Sequence, residues 1–270
     1  MQEHRKRFPL KLILGLVLII AVAGAYYFRR ADRSAPLVEL PMAQVGHVEN
    51  ITASSSVTSA VVDIRARKFE LLTVDPPISF GEALDIANHV ASLTHIRPAF
   101  LLAISQEELK LEKTDMCYLT DLKTGLGVRD IDGMTKPKTM HPTRDIPGFL
   151  AITKKLNKDP LKTLVTCPMS FGWGGAMGPA DFIPSTWMAY KSRIEKITGK
   201  AADPWDINDA FLAMGLFVAD TGAKSKTHDG EWRSAMVYFS GSPKSGYNWY
   251  ADGTMEISRQ IEADIESLVN

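Results

Sequence analysis

Ser170-Phe171-Gly172-Trp173-Gly174-Gly175-Ala176-Met177-Gly178-Pro179-Ala180-Asp181-Phe182-Ile183-Pro184-Ser185-Thr186-Trp187 is the stretch on which the reading of the fold turns. Gly172, Gly174, Gly175, Ala176 and Gly178 crowd one short segment. Residues this small let backbone approach backbone, or a ligand approach backbone. A helix start follows at once, with Pro184 in the first turn beside Ser185 and Thr186. Phe171, Trp173, Phe182 and Trp187 border the run, more bulk than a flexible loop carries. Two readings fit: a Gly-rich turn packed between helices, or the rim of a ligand cleft. A phosphate cradle does not fit, because no Gly-Lys-Ser/Thr follows the glycines.

Outward from this stretch the signal is helical. Helix 184–198 stops at Gly199, and Asp206 caps a helix over 207–220 that closes at Gly222. That second helix is apolar on most sides (Ile207, Phe211, Leu212, Met214, Leu216), which places it at the centre of a bundle. Shorter patterns predict helices over 230–239 and 250–268, the latter with Met255, Ile257, Ile261, Ile265 and Leu268 inward. Upstream, Ser79 with Glu82 forms a capping box for a helix ending near His95, and Pro98 opens the next, to about Lys113. Residues 114–142, broken by Gly125, Gly127, Gly133, Pro137 and Pro142, read as a long loop. Thr143 to Asn157 reads as a helix with Pro147 in its first turn. The expected fold class is therefore all-α, over residues 79–270.

The N-terminus differs in kind. His4-Arg5-Lys6-Arg7 precedes an uncharged run from Leu12 to Phe28, near the length that crosses a bilayer, with Tyr26 and Tyr27 suited to the interface. Residues 1–30 read as a membrane anchor, with a signal peptide cleaved near Ala21-Val22-Ala23 or Ala23-Gly24-Ala25 as the alternative. Residues 31–78 read as an extracytoplasmic spacer, either a stalk or a strand pair packed on the domain, ending at Asp75-Pro76-Pro77. The lipid bilayer is thus an expected partner. Nucleic acid is not: 31 basic and 31 acidic residues leave no excess cation for phosphates. Nothing in the sequence points to an obligate protein partner.

The two cysteines, Cys117 and Cys167, make no Cys-x-x-Cys, and the six histidines are scattered, so no zinc or other cofactor is expected. Outside the cytoplasm the cysteines would close a loop of about 50 residues. For chemistry, the helix from Pro98 offers two carboxylates. Phe100, Ile104, Glu107 and Leu111 make one stripe, and Leu101, Ile104, Glu108 and Leu111 another. At 100° per residue both glutamates lie equally far from the stripe's centre, so periodicity does not choose between them. A carboxyl on an apolar helix face can stay protonated near neutral pH, which is what a general acid requires.

Gly175-Ala176-Met177-Gly178-Pro179-Ala180-Asp181-Phe182-Ile183-Pro184-Ser185-Thr186-Trp187 resembles the core motif of the lytic transglycosylases of the soluble type. The likeness extends over roughly residues 80 to 268. It implies a lysozyme-like, goose-type helical domain that cleaves peptidoglycan, held at the cytoplasmic membrane on the cell-wall side or secreted after signal cleavage. Ala103-Ile104-Ser105-Gln106-Glu107-Glu108 is similar to the family's Gln-Glu-Ser segment, which implies Glu107 as the general acid, with Glu108 in place of the usual Ser. Tyr238-Phe239-Ser240-Gly241 falls where relatives have Tyr-Asn-Ala-Gly, and Asp181 stands where they commonly have Gln. The implied substrate contacts are Ser170, Trp173, Met177, Gly178, Asp181 and Tyr238. The implied reaction cleaves the bond between N-acetylmuramic acid and N-acetylglucosamine and leaves a 1,6-anhydro ring. A water-using muramidase and a non-catalytic wall-binding module are the alternatives.

Overall fold

Ser79 sets the first junction. In the computed structural model, which describes residues 63–111, 115–169, 172–244 and 246–268, it ends one strand and caps the next helix. Strands β1 (Lys68–Leu71) and β2 (Val74–Ser79) pair antiparallel, and α1 (Phe80–Thr94) follows directly. The Ser79 hydroxyl accepts from the Glu82 amide, and the Glu82 carboxylate accepts from the Ser79 amide at 2.8 Å. Such a cap stabilises a helix by about 1 kcal/mol. His95, in the left-handed region at φ 64°, ends α1.

Helix α2 (Pro98–Leu111) is the spine. Ala99 through Ile104 are all 0% exposed, so its first half is enclosed on every side. It packs mainly on α7 (Asn248–Ser267) and α1, and β1 lies against it through Phe69 and Leu71. Between lie α3 (Ile146–Lys155), α4 (Pro184–Thr198), α5 (Ile207–Thr221) and α6 (His228–Ser240). Asp206 caps α5 by accepting from the Asn208 and Asp209 amides, and Gly199 ends α4 at φ 71°. Gly215 makes the α1–α5 crossing possible, since a Cβ there would stand 2.4 Å from Val90 Cγ1. The all-round apolar character of α5 suits this central place.

The all-α expectation is overturned. Six strands form two antiparallel sheets beside the helices, the ribbon β1–β2 and a four-stranded sheet ordered β5-β4-β3-β6. The second comprises β3 (Met116–Asp121), β4 (Leu126–Arg129), β5 (Thr135–Lys136) and β6 (Val165–Thr166). Three of its strands occupy 114–142, the stretch read as a loop. The glycines there serve the sheet: Gly125 and Gly133 turn the chain at φ 73° and 68°. A Cβ on Gly127 would stand 2.5 Å from the Tyr118 carbonyl oxygen. Cys117 and Leu119 alternate inward along β3 and are buried. Cys117 is bonded to Cys167, which fastens β3 to the segment leaving β6. Residues 68–78, read within the spacer as either stalk or strand pair, belong with Ser79 to the β1–β2 ribbon. The expected anchor over residues 12–28 lies outside the described residues; among those, no helix is long and apolar enough to cross a membrane.

Candidate active site

The Gly-rich stretch becomes one wall of a cleft because its backbone is clamped from behind. Gly174 donates to the Lys138 carbonyl at 3.0 Å, and Gly175 to the Thr166 carbonyl at 2.8 Å. A Cβ on Gly174 would sit 2.5 Å from the Thr166 carbonyl oxygen. Gly178 adopts φ 62°, and a Cβ there would sit 1.8 Å from the Pro204 carbonyl oxygen. These glycines serve chain packing. Gly172 and Gly174 both line the cleft, and Gly172 has no atom near where its Cβ would be. Met177 pairs with Phe182 across a tight turn and is 0% exposed. Asp181 closes that turn at φ 49°, its amide donating to the Gly178 carbonyl.

The cleft has a volume of about 530 Å³. Glu108 from α2, Asp181 from the turn and Tyr238 from α6 all line it. So do Trp173 on one side and Phe239 and Tyr247 on another. Glu108 is 5% exposed, and the Tyr250 hydroxyl of α7 donates to its Oε1. Tyr250 is fully buried and stacks on Phe239 with ring centres 4.7 Å apart. Burial pushes the Tyr250 phenol well above its ordinary range, and the Glu108 charge adds to this. The group is therefore a neutral donor at physiological pH. Tyr238 is raised likewise, by burial first and then by Glu108 and Asp181. Its hydroxyl donates to the Ala180 carbonyl, tying α6 to the turn that carries Asp181. Phe182, Phe217 and Tyr238 pack ring on ring behind it, at 5.2 to 5.6 Å between centres.

Arg144 brings a cation to the cleft. Its Nε and Nη2 donate to Asp145 Oδ2 at 2.9 and 2.6 Å. Asp145 is wholly buried, and its Oδ1 accepts from the Ser185 hydroxyl at 2.8 Å. The aromatic rim reaches solvent at Tyr247 and Trp249, 40% and 46% exposed, each edge-on to Phe239 at 5.2 Å. On the other side the Trp173 ring meets His141 at 4.8 Å. Flat apolar faces beside polar groups suit a sugar chain, whose rings have apolar faces and hydroxyl edges. Among the described residues no cluster of His, Cys, Asp and Glu stands ready to hold a metal ion.

The expected residues divide. Trp173, Asp181 and Tyr238 come together in the cleft, and Cys167 borders it. Met177 and Gly178 lie behind the wall, and Ser170 lies outside the described residues. Glu107, the acid implied by resemblance, does not line the cleft; Glu108 does. Glu107 is buried against α7 in a niche that Gly253 leaves open, with Lys110 Nζ at 3.3 Å. The sequence reading singles out neither Tyr250 nor Arg144. Tyr250 carried a usable signal: it shares the inward face of α7 with Ala251, Thr254, Ile257 and Ile261, and a buried phenol needs a partner. Comparison of the chain with protein-family models, curated proteins and solved structures finds no match.

Proposed function

We propose that this chain is a peptidoglycan lytic transglycosylase in which Glu108 is the acid. One observation carries the reading. Of the two buried carboxyls on the spine helix, the one held by the Tyr250 hydroxyl, Glu108, faces a cleft with aromatic flanks. The likeness of residues 175–187 to the transglycosylase motif supports the same class.

Glu108 donates its proton to the oxygen joining N-acetylmuramic acid to N-acetylglucosamine as the bond to the muramyl anomeric carbon breaks. The Tyr250 hydroxyl then stabilises the carboxylate left behind. That carboxylate takes the proton of the muramyl 6-hydroxyl while its oxygen bonds to the anomeric carbon. The anhydro ring closes, Glu108 is protonated again, and no water is consumed. Trp173, Tyr247 and Phe239 stack on sugar faces, and Arg144 attracts the carboxylates that muramyl residues and their peptides carry.

A second reading has its own observation: Asp181 lines the same cleft as Glu108. Two carboxyls on one cleft suit a water-using glycosidase, with Asp181 as the base. Digestion of purified peptidoglycan by the full chain in detergent decides between them by product mass. An anhydro-muramyl end supports the transglycosylase, and a product one water heavier supports the hydrolase. Glu108→Gln abolishes release with the fold intact by circular dichroism. Release persisting in Glu108→Gln overturns both readings.

A further inference from the structure

Glu107 is a buried carboxyl that the proposed chemistry leaves unused. It is 6% exposed, next to Glu108 at 5%. Its carboxylate fits where α7 has no side chain: a Cβ on Gly253 would stand 2.6 Å from Oε1, 2.9 Å from Cδ and 3.0 Å from Oε2. Gly253 and Tyr250 are neighbours one turn apart on α7, so one helix receives both carboxylates, Glu107 in a glycine niche and Glu108 on a phenol. A glycine inside a helix costs about 1 kcal/mol against alanine, and here it makes room for a second carboxyl.

We infer that Glu107 is a positioning residue, whose carboxyl, buried beside Glu108, opposes the ionisation of Glu108 and so keeps the acid ready near neutrality. The inference rests on Glu108 being the acid of the proposed reaction. Like charges in poorly solvated surroundings oppose each other's ionisation, and water screens this pair poorly. Among the described residues, the following charged and titratable groups stand around them. Lys110 sits on the same helix, its side chain 60% exposed and its ammonium 3.3 Å from Glu107 Oε2. Tyr250 faces the pair from α7 and Tyr238 faces Glu108 from α6, both neutral. Asp181 and Arg144 stand along the cleft with Glu108. From α1 and β1 the packing side chains are apolar: Leu84, Val90, Phe69 and Leu71. Lys110 therefore moderates the effect of Glu107, and an exposed lysine does so weakly.

The test reads the side-chain carboxyl carbons of the full chain by NMR across pH, with all glutamates labelled and Glu108→Gln to assign the signal of Glu108. In Glu107→Gln the Glu108 midpoint falls by about one pH unit, and in Lys110→Met it rises. On peptidoglycan, the basic limb of the Glu107→Gln rate profile moves down by the same amount, while activity at acid pH approaches wild type. A Glu108 midpoint that does not move in Glu107→Gln overturns the inference, whatever the activity. So does a loss of activity equal at every pH, which marks a purely structural role. Because the midpoint belongs to the folded chain, it is measurable even if no glycan is cut. Failure of the enzymatic reading instead shows as Glu108→Gln retaining full release.

Discussion

Tyr250→Phe removes one oxygen and leaves the ring. The ring stays in place because it is fully buried and stacked on Phe239 at 4.7 Å. What disappears is the hydroxyl that donates to Glu108 Oε1. A hydrogen bond to a charged group contributes about 1.5–3 kcal/mol, and the loss is greatest when Glu108 is ionised, since the neutral acid needs the donor less. In the proposed reaction Glu108 is neutral before proton transfer and ionised after it. The missing donor therefore raises the barrier more than it weakens substrate binding. The expected result is a fall in kcat of about 10- to 150-fold with KM nearly constant. The assay is release of soluble muropeptides from purified peptidoglycan by the full chain, as a function of substrate concentration. Thermal unfolding of the same samples checks that the fold remains. A kcat within about twofold of wild type, in a protein that melts normally, refutes the role given to this hydroxyl.

Removing the disulfide and raising the pH test other parts of the molecule. Cys117 and Cys167 are 50 residues apart in sequence, so Cys117→Ser with Cys167→Ser loses about 4 kcal/mol of unfolding free energy in the chain-entropy picture. Denaturant titration measures this, and a loss under about 1 kcal/mol contradicts it. Because Thr166 and Cys167 border the cleft, the same variant releases muropeptides more slowly at temperatures where it is still folded. Tyr238 and Tyr250 are both held above the ordinary phenol value of 10, by burial first and by Glu108 next. A group raised on folding contributes stability that is whole below its unfolded value and is lost as pH rises through its folded one. Stability therefore declines above pH 10, and the phenolate absorbance of these two tyrosines emerges only with unfolding. Every tyrosine titrating reversibly while the far-UV spectrum stays native contradicts this.

Helices were legible in the sequence wherever a cap marked them. The Ser79–Glu82 box, the Asp206 cap and the Gly199 and Gly222 stops all lie at the ends they announce. Each signal is local: a side chain satisfies a backbone group within the same turn. The strands of the four-stranded sheet were not legible, because several of their hydrogen bonds are made with distant segments. Val165–Thr166 is a strand only because Met116 and Cys117 lie beside it. Thr135–Lys136 is one only through Gly127 and Val128. Of the glycines counted as helix breakers over 114–142, Gly127 is there because strands approach closely, and Gly125 and Gly133 because the chain turns at positive φ. The glycines of the motif misled in a similar way: spacing marked them as small, yet did not separate Gly172, open on the cleft, from Gly174 and Gly178, pressed on backbone.

The two glutamates show the same limit at the scale of one residue. Helical phase orders side chains about their own axis, and Glu107 and Glu108 straddle the apolar stripe of α2. Exposure does not separate them either, at 6% and 5%. The difference comes from α7, which offers a glycine to one and a phenol to the other. A carboxylate in a glycine niche makes no bond to the surface that met it, whereas one on a phenol gains a neutral donor beside a cleft. Only the second arrangement both steadies a charge after proton transfer and leaves the acid within reach of a sugar. In the proposed reaction the choice of acid therefore rests on α7, more than a hundred residues downstream of the helix that carries both glutamates.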